Sequence, residues 1–352
     1  MCIMSSLANA RQPVWLRLAG RALLAPALLL LSGGSAHAQQ RNQLDPNETY
    51  RRLARERMEQ TQRAMEETAR RRFEEHKDES RFPSDAQAAT KPGVVHAVSP
   101  AEQQALAHTE KGLDYFARNK YEQAIKEYDE AIRLDPQLAA AHNNMGSAYF
   151  ALGRYDLAIN AFNQAIQLDP NYGQAHFNLA LTYLKLNRLQ DADTALIAAT
   201  KAYYITGDER LRAGDREAAE AAFKELLQID PNYPPAHLRL GIIYNADHRY
   251  NEAAQAFKLV LKSQPQNAAA YENLGEAYYG QHKYADALEA TAHAIKLQPR
   301  APGAYYIAGL AYAALDQPDQ ARAACAKLTE LHADEYAQLL AAVIAKQSPH
   351  KP

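Results

Sequence analysis

Residues 139–172 read AAAHNNMGSAYFALGRYDLAINAFNQAIQLDPNY. Two amphipathic stretches with helical spacing of their apolar residues flank a short polar turn, Leu152-Gly153-Arg154, and Pro170 closes the second stretch where a helix cannot continue. The unit is a helical hairpin about 34 residues long, too small to bury its own apolar side.

Outward from this stretch the pattern recurs. Segments ending in Leu134-Asp135-Pro136, Leu168-Asp169-Pro170, Ile229-Asp230-Pro231, Ser263-Gln264-Pro265 and Leu297-Gln298-Pro299 fall at intervals of 34, 61, 34 and 34 residues. The odd interval is seven short of two units. Units therefore lie near 105–138, 139–172, 173–199 (shortened), 200–233, 234–267, 268–301 and 302–331. In the shortened third unit the end of a second helix and its closing turn are lost, which leaves a short helix, a compressed turn or one helix fused across the junction. Residues 332–346, with Tyr336, Leu339, Leu340, Val343 and Ile344, read as one more amphipathic helix that caps the last apolar face.

These residues resemble the tetratricopeptide repeat, whose pattern places an aromatic at position 4, Leu-Gly at 7 and 8, Tyr at 11, Ala at 20, Phe at 24, Ala at 27 and Pro at 32. The second unit offers His142, Met145-Gly146, Tyr149, Ala158, Phe162, Ala165 and Pro170; the fifth offers Leu240-Gly241, Tyr244, Ala253, Phe257 and Pro265. The resemblance covers about Ala105 to Leu331 and implies an all-α fold: a right-handed superhelical solenoid of about seven hairpins plus a C-terminal capping helix. Small residues at positions 8 and 20 let paired helices approach, and stacked neighbours bury what one pair cannot.

Ahead of the repeats the chain has three parts. Arg11, Arg17 and Arg21 precede an apolar run from Ala22 to Leu31, and the segment closes on Ala36-His37-Ala38. That form predicts a signal peptide over residues 1–38, cleaved after Ala38, and a periplasmic or secreted product. The run spans ten residues and contains Pro26, whereas a bilayer span needs roughly 20 apolar residues, so no membrane segment is expected after cleavage. Residues 39–82 are dense in charge of both signs and are predicted to be mostly helical, a possible route to self-association. Residues 83–100 read as a Pro/Ala-rich linker, and 347–352 as a tail. Loss of the three arginines takes the formal net charge from −2 to −5, which leaves no general basic footprint for nucleic acid. Cys2 leaves with the signal, and Cys325 alone cannot form an internal disulfide.

No phosphate-cradling glycine loop, nucleophile elbow, zinc spacing or Cys-x-x-Cys is found, so no catalytic residue, metal or cofactor is expected. His108, His142, His176 and His237 recur at position 4, but equivalent positions in stacked hairpins stand on the order of 10 Å apart, too far to share an ion. They are expected to pack, as are Cys325 in a core slot and the position-11 tyrosines.

The resemblance places function on the inner face, where positions 2, 5, 6, 9, 12 and 13 of each first helix line a groove for a protein or peptide partner. The candidate apolar anchors are Phe116, Phe150, Phe177, Leu181, Leu184, Tyr204, Leu238, Ile242, Tyr279 and Tyr306. Asn143, Asn144, Asn178, Asn245 and Asn273, with Arg239, are candidate polar contacts, the amides being expected to bond a partner's backbone. Some family members clamp a terminal carboxylate with Lys and Asn at positions 5 and 9. Thr109 and Leu113 stand there in the first repeat, and Gln174 and Asn178 replace the Lys and Arg of the third, so that recognition is not expected.

Overall fold

The computed structural model describes residues 99–347; the expected signal peptide, the charged segment, all but the end of the expected linker, and the tail lie outside the described residues. Among them are fourteen α-helices and no strand. The chain divides into two compact units, residues 1–203 and 204–352.

The first unit holds α1 (Pro100–Ala117), α2 (Tyr121–Leu134), α3 (Ala139–Ala151), α4 (Tyr155–Leu168), α5 (Gly173–Lys185) and the start of α6 (Leu189–Arg212). Ser99 and Glu102 close a capping box at the head of α1: the Ser99 Oγ accepts from the Glu102 N–H at 3.2 Å, and the Ser99 N–H donates to the Glu102 Oε2 at 2.6 Å. Pro100 takes the first helical position, where its missing N–H costs nothing, so this helix starts at the linker's last residue.

The second unit holds the rest of α6, then α7 (Arg216–Ile229), α8 (Pro234–Ala246), α9 (Tyr250–Ser263), α10 (Ala268–Gly280), α11 (Tyr284–Leu297), α12 (Pro302–Ala314), α13 (Pro318–Glu330) and α14 (Asp334–Gln347). The α14 helix lies on α12 and α13, where Leu340 is fully buried against Gly309 and Ala324. Tyr336 rests beside Tyr306 with ring centres 5.0 Å apart, while Leu339 stays half exposed.

The shortened repeat resolves as fusion. The α6 helix runs 24 residues without a break, giving its first half to the third hairpin and its second half to the fourth. Tyr203 packs its ring on Gly173 in the first unit, and Tyr204 lies 5.8 Å from Phe223 in the second.

One contact recurs in both units. The position-8 glycine of a first helix lies directly under the position-24 ring of its partner: a Cβ added at Gly146 would stand 2.6 Å from the Phe162 ring, at Gly207 2.7 Å from Phe223, and at Gly241 2.5 Å from Phe257. Each of these rings is fully buried. The alanines at position 20, from Ala124 through Ala321, are buried as well, so backbone meets backbone where the helices are closest.

The hairpin turns share a second device. Asn119, Gly153, Asn187, Gly214, His248, His282, Asp316 and His332 take φ between 57° and 82°, and the next N–H returns five residues, as from Lys120 to the Tyr115 carbonyl at 2.9 Å. This left-handed closure satisfies the last carbonyls of each helix. Non-glycine residues hold it with side-chain help. Tyr121 donates to Asn119, and His248 and His282 meet the Tyr250 and Tyr284 hydroxyls at 2.7 and 3.0 Å. At the other end of the hairpins, the Asp135, Asp169 and Asp230 carboxylates accept from the N–H two residues on, which sets the turn into the following first helix.

The first repeat departs from this pattern at Tyr128, a fully buried tyrosine where Phe162, Phe223 and Phe257 stand in other repeats. Its hydroxyl has no hydrogen-bond partner among the described residues, and burial pushes its pKa far up. A buried polar group without a partner costs about 1–3 kcal/mol. Tyr128→Phe is therefore expected to stabilise the protein by about 1 kcal/mol in chemical denaturation, and Phe162→Tyr to destabilise it.

Candidate functional site

Position 4 shows what the recurrent histidines do. His142, His176 and His237 each set Nε2 against the carbonyl of the proline six residues earlier, at 3.3, 3.0 and 2.8 Å, and the Tyr305 hydroxyl donates to Pro299 in the same way at 3.1 Å. They pin the turn that enters each first helix. His108 lacks that proline and meets Glu127 through Nδ1 at 2.8 Å, beside Lys111. No group of His, Cys, Asp or Glu suited to a metal ion is found among the described residues. Cys325 is only half-buried, because α14 covers it from one side while Leu328 fills the core; its Sγ lies 3.4 Å from the Ala337 carbonyl.

In the first unit the candidate amides bond each other. Tyr203 donates to Gln174 Oε1 at 3.0 Å, Gln174 to Asn178 Oδ1 at 3.0 Å, Asn178 to Asn143 Oδ1 at 3.0 Å, and Asn143 to Asn144 Oδ1 at 3.4 Å. The expectation that all of these amides wait for a partner's backbone is corrected by this relay, which turns most of their capacity inward and buries Asn143 to 4% exposure. Asn144 ends it with its own N–H groups unpaired among the described residues.

The apolar candidates sort by reach. Leu181 is 6% exposed, so its surface is used inside the unit and it offers no open anchor. Phe177 and Leu184 on the same helix are only partly buried. Phe116 and Phe150 sit edge-on to Tyr121 and Tyr155, with ring centres 5.2 and 5.6 Å apart, at the turn end of their hairpins.

In the second unit Tyr204 is not a free groove residue, since its ring packs on Phe223 and lies 6.0 Å from Tyr233. Arg239 is held by Asp208 at 2.7 Å, and Arg212 pairs with the same buried carboxylate. Asn273 donates into its own helix, to the Ala269 carbonyl at 2.8 Å. Leu238 and Ile242 on α8, and Tyr279 on α10, remain partly open, as does Tyr306 on α12.

Sequence reasoning passed over Glu272 and Glu276, at positions 5 and 9 of α10. Glu276 is exposed and Glu272 is half-buried; both belong to the face that the repeat pattern turns inward. Burial raises both carboxyls above the ordinary range, and the charge of Glu276 adds to the rise at Glu272. The Ala304 N–H opposes it at Glu272, and the Asn245 amide, 3.1 Å away, at Glu276. Their signal in the sequence was a carboxylate where neighbouring first helices carry Leu238, Ile242 and Tyr306.

Stacked helical hairpins, closed by small residues and presenting a face of first helices with open apolar and polar side chains, define a repeat protein of the binding class. Family models described as TPR repeat match residues 112–153 and 146–187, and models described as tetratricopeptide repeat match 173–203, 210–278 and 272–337. The chain belongs to the tetratricopeptide-repeat family. No curated protein matches its sequence. Similar solved structures include a tetratricopeptide repeat protein from Parabacteroides merdae, 18% identical, with 69% of this chain and 99% of that chain covered at a TM-score of 0.35. The type IV pilus biogenesis factor PilW is 20% identical over 68% of this chain and 98% of its own, TM-score 0.36. In the APC/C hetero-tetramer Cut9–Hcn1 the match is 15% identical over 72% of this chain, which spans 57% of that one, TM-score 0.39.

The two raised carboxyls make a stability prediction with a definite sign. A carboxyl whose folded pKa exceeds the unfolded value, about 4.3, weakens the fold as pH rises through that interval and costs nothing once both states are protonated. Glu272→Gln/Glu276→Gln is expected to raise the melting temperature at pH 7 and to leave it unchanged near about pH 3.5.

Proposed function

We propose that this protein is an exported scaffold that docks a protein partner along its concave first-helix faces, in cell-envelope assembly or secretion. The chain is built as a protein–protein interaction scaffold of the tetratricopeptide-repeat type, a fold that is typically non-catalytic. The observation that carries the binding reading is the set of large apolar residues left partly open at lattice positions the hairpin core does not use: Phe177, Leu184, Leu238 and Ile242. Asn144 adds amide donors for a partner's carbonyl. Export rests on the tripartite segment over residues 1–38, and the envelope role on export together with the repeats. No helix among the described residues is long and apolar enough to cross a membrane.

Affinity purification of the tagged protein from its own cells supplies both the partner and the amino terminus. Edman sequencing is expected to begin at Gln39, and an intact Met1 would remove the export part of the proposal. Interface energy concentrates in a few apolar and aromatic anchors, so Phe177→Ala or Leu238→Ala is expected to weaken the recovered partner by about 2 kcal/mol while the far-ultraviolet spectrum is kept. Lys224→Ala, at an exposed side chain that pairs with Glu220 on its own helix, is expected to cost little. Parent-like binding by both groove variants would move the working surface elsewhere.

A further inference from the structure

The α14 helix takes the place of a further first helix: it lies on α12 and α13 as α12 lies on α10 and α11. A first helix of this array also packs on the second helix that follows it, as α3 does on α4, α8 on α9, α10 on α11 and α12 on α13. Among the described residues α14 has no such partner. Its Ala337 and Leu340 turn into the core. Roughly 90° further round the helix, Tyr336, Leu339 and Val343 fall within about 60° of one another, which makes a stripe. Tyr336 is 40% exposed and Leu339 49%, the highest value for a large apolar side chain among the described residues. The other exposed large apolar residues described stand one to a helix or its cap, as scattered surface residues do. A helix that closes a repeat array ordinarily keeps a polar outer face, and α14 carries two of these residues instead.

Charge is the second observation, and it says what covers the stripe. Glu335 and Lys346 stand about three turns apart on the same side of α14 as Leu339. Both are exposed, and neither has an ion-pair partner among the described residues. An acid at the head and a base at the tail also suit the helix dipole, so the charges alone mark no site. With the apolar stripe between them they make a surface complementary to itself. Two copies of α14 laid parallel would set like charges side by side. Laid antiparallel, they set Glu335 against the partner subunit's Lys346 at both ends of the contact, and the helix dipoles oppose. The same register seats Leu339 over the partner subunit's Ala342, a small residue that lets the helices close.

We infer that α14 is a self-association surface, and that two copies of this chain pair through antiparallel α14 helices about a two-fold axis. The contact is isologous, so it closes at a dimer rather than growing into a filament. One pair of helices 14 residues long falls at the low end of interface areas, below about 1,200 Å² in total, and such contacts are weak and concentration-dependent. The dimer presents two copies of each first-helix face, which strengthens the hold on any partner that offers two segments.

Sedimentation equilibrium of the full chain tests this. The parent is expected to pass from monomer to dimer as its concentration rises to about 100 μM. Leu339→Glu is expected to raise the dimer dissociation constant by about tenfold or more, with the helical spectrum and melting profile kept because Leu340 still holds α14 in place. Glu335→Lys and Lys346→Glu, both at exposed positions, are each expected to weaken the dimer, since each sets like charges together twice. An equimolar mixture of these two variants is expected to dimerise more strongly than either alone, because both contacts are then between opposite charges. A parent that stays monomeric over this range would overturn the inference, as would growth beyond a dimer, which marks a head-to-tail contact. A dimer indifferent to Leu339→Glu, or charge variants that mixing does not rescue, would place self-association on another surface such as residues 39–82 and overturn it equally.

Discussion

A helix pair can come no closer than its largest facing side chains allow, and in this chain that limit is set by a glycine beneath a ring. Gly146 under Phe162, Gly207 under Phe223 and Gly241 under Phe257 each leave no room for a methyl group. The ring takes up the volume that the glycine concedes, so the pair is both close and filled. Position 20 completes the approach from the other helix with alanines that are buried from Ala124 to Ala321. Where the glycine lacks an aromatic partner the volume is found elsewhere, as when Thr291 covers Gly275 and Leu340 of α14 reaches Gly309.

Because that contact consumes positions 8, 20 and 24, the rest of each first helix is released from core duty. Positions 2, 5, 6 and 9 are then free to vary without opening the hairpin, and they differ between the units. In the first unit they carry amides joined in a relay that ends at Asn144. In the second they carry Leu238 and Ile242 followed by Glu272 and Glu276, whose raised pKa values record a local electrostatic cost. A stability cost kept at a face rather than at a core contact is the usual mark of a binding role.

The fold was legible in residues 139–172 alone because the repeat writes its geometry in residues with few substitutes: glycine where a ring presses, alanine where backbones meet, proline where a helix stops. The junction at 199–200 was less legible. Seven missing residues are compatible with a short helix, a compressed turn or a fused helix, and only the uninterrupted run Leu189–Arg212 decides it. The face was read in outline and missed in detail. Lattice position does not reveal that Leu181 is buried, that Tyr204 leans on Phe223 or that the asparagines bond one another, since each depends on the neighbouring helix. The acidic pair was passed over because a search for anchors favours apolar residues, although a carboxylate at positions 5 and 9 is plain in the sequence.

The account's central claim is that the glycine–ring contact sets helix approach, and a double-mutant cycle on Gly241 and Phe257 tests it most directly. Alanine in a helix interior is favoured over glycine by about 1 kcal/mol, whereas overpacking a filled core costs about 1–3 kcal/mol. With the Phe257 ring in place, Gly241→Ala is expected to lower the denaturation midpoint, the clash outweighing the propensity gain. In the Phe257→Ala background the clash is gone, and the same substitution is expected to raise the midpoint. An equal effect of Gly241→Ala in both backgrounds would contradict the claim, for the methyl group would then not be competing with the ring.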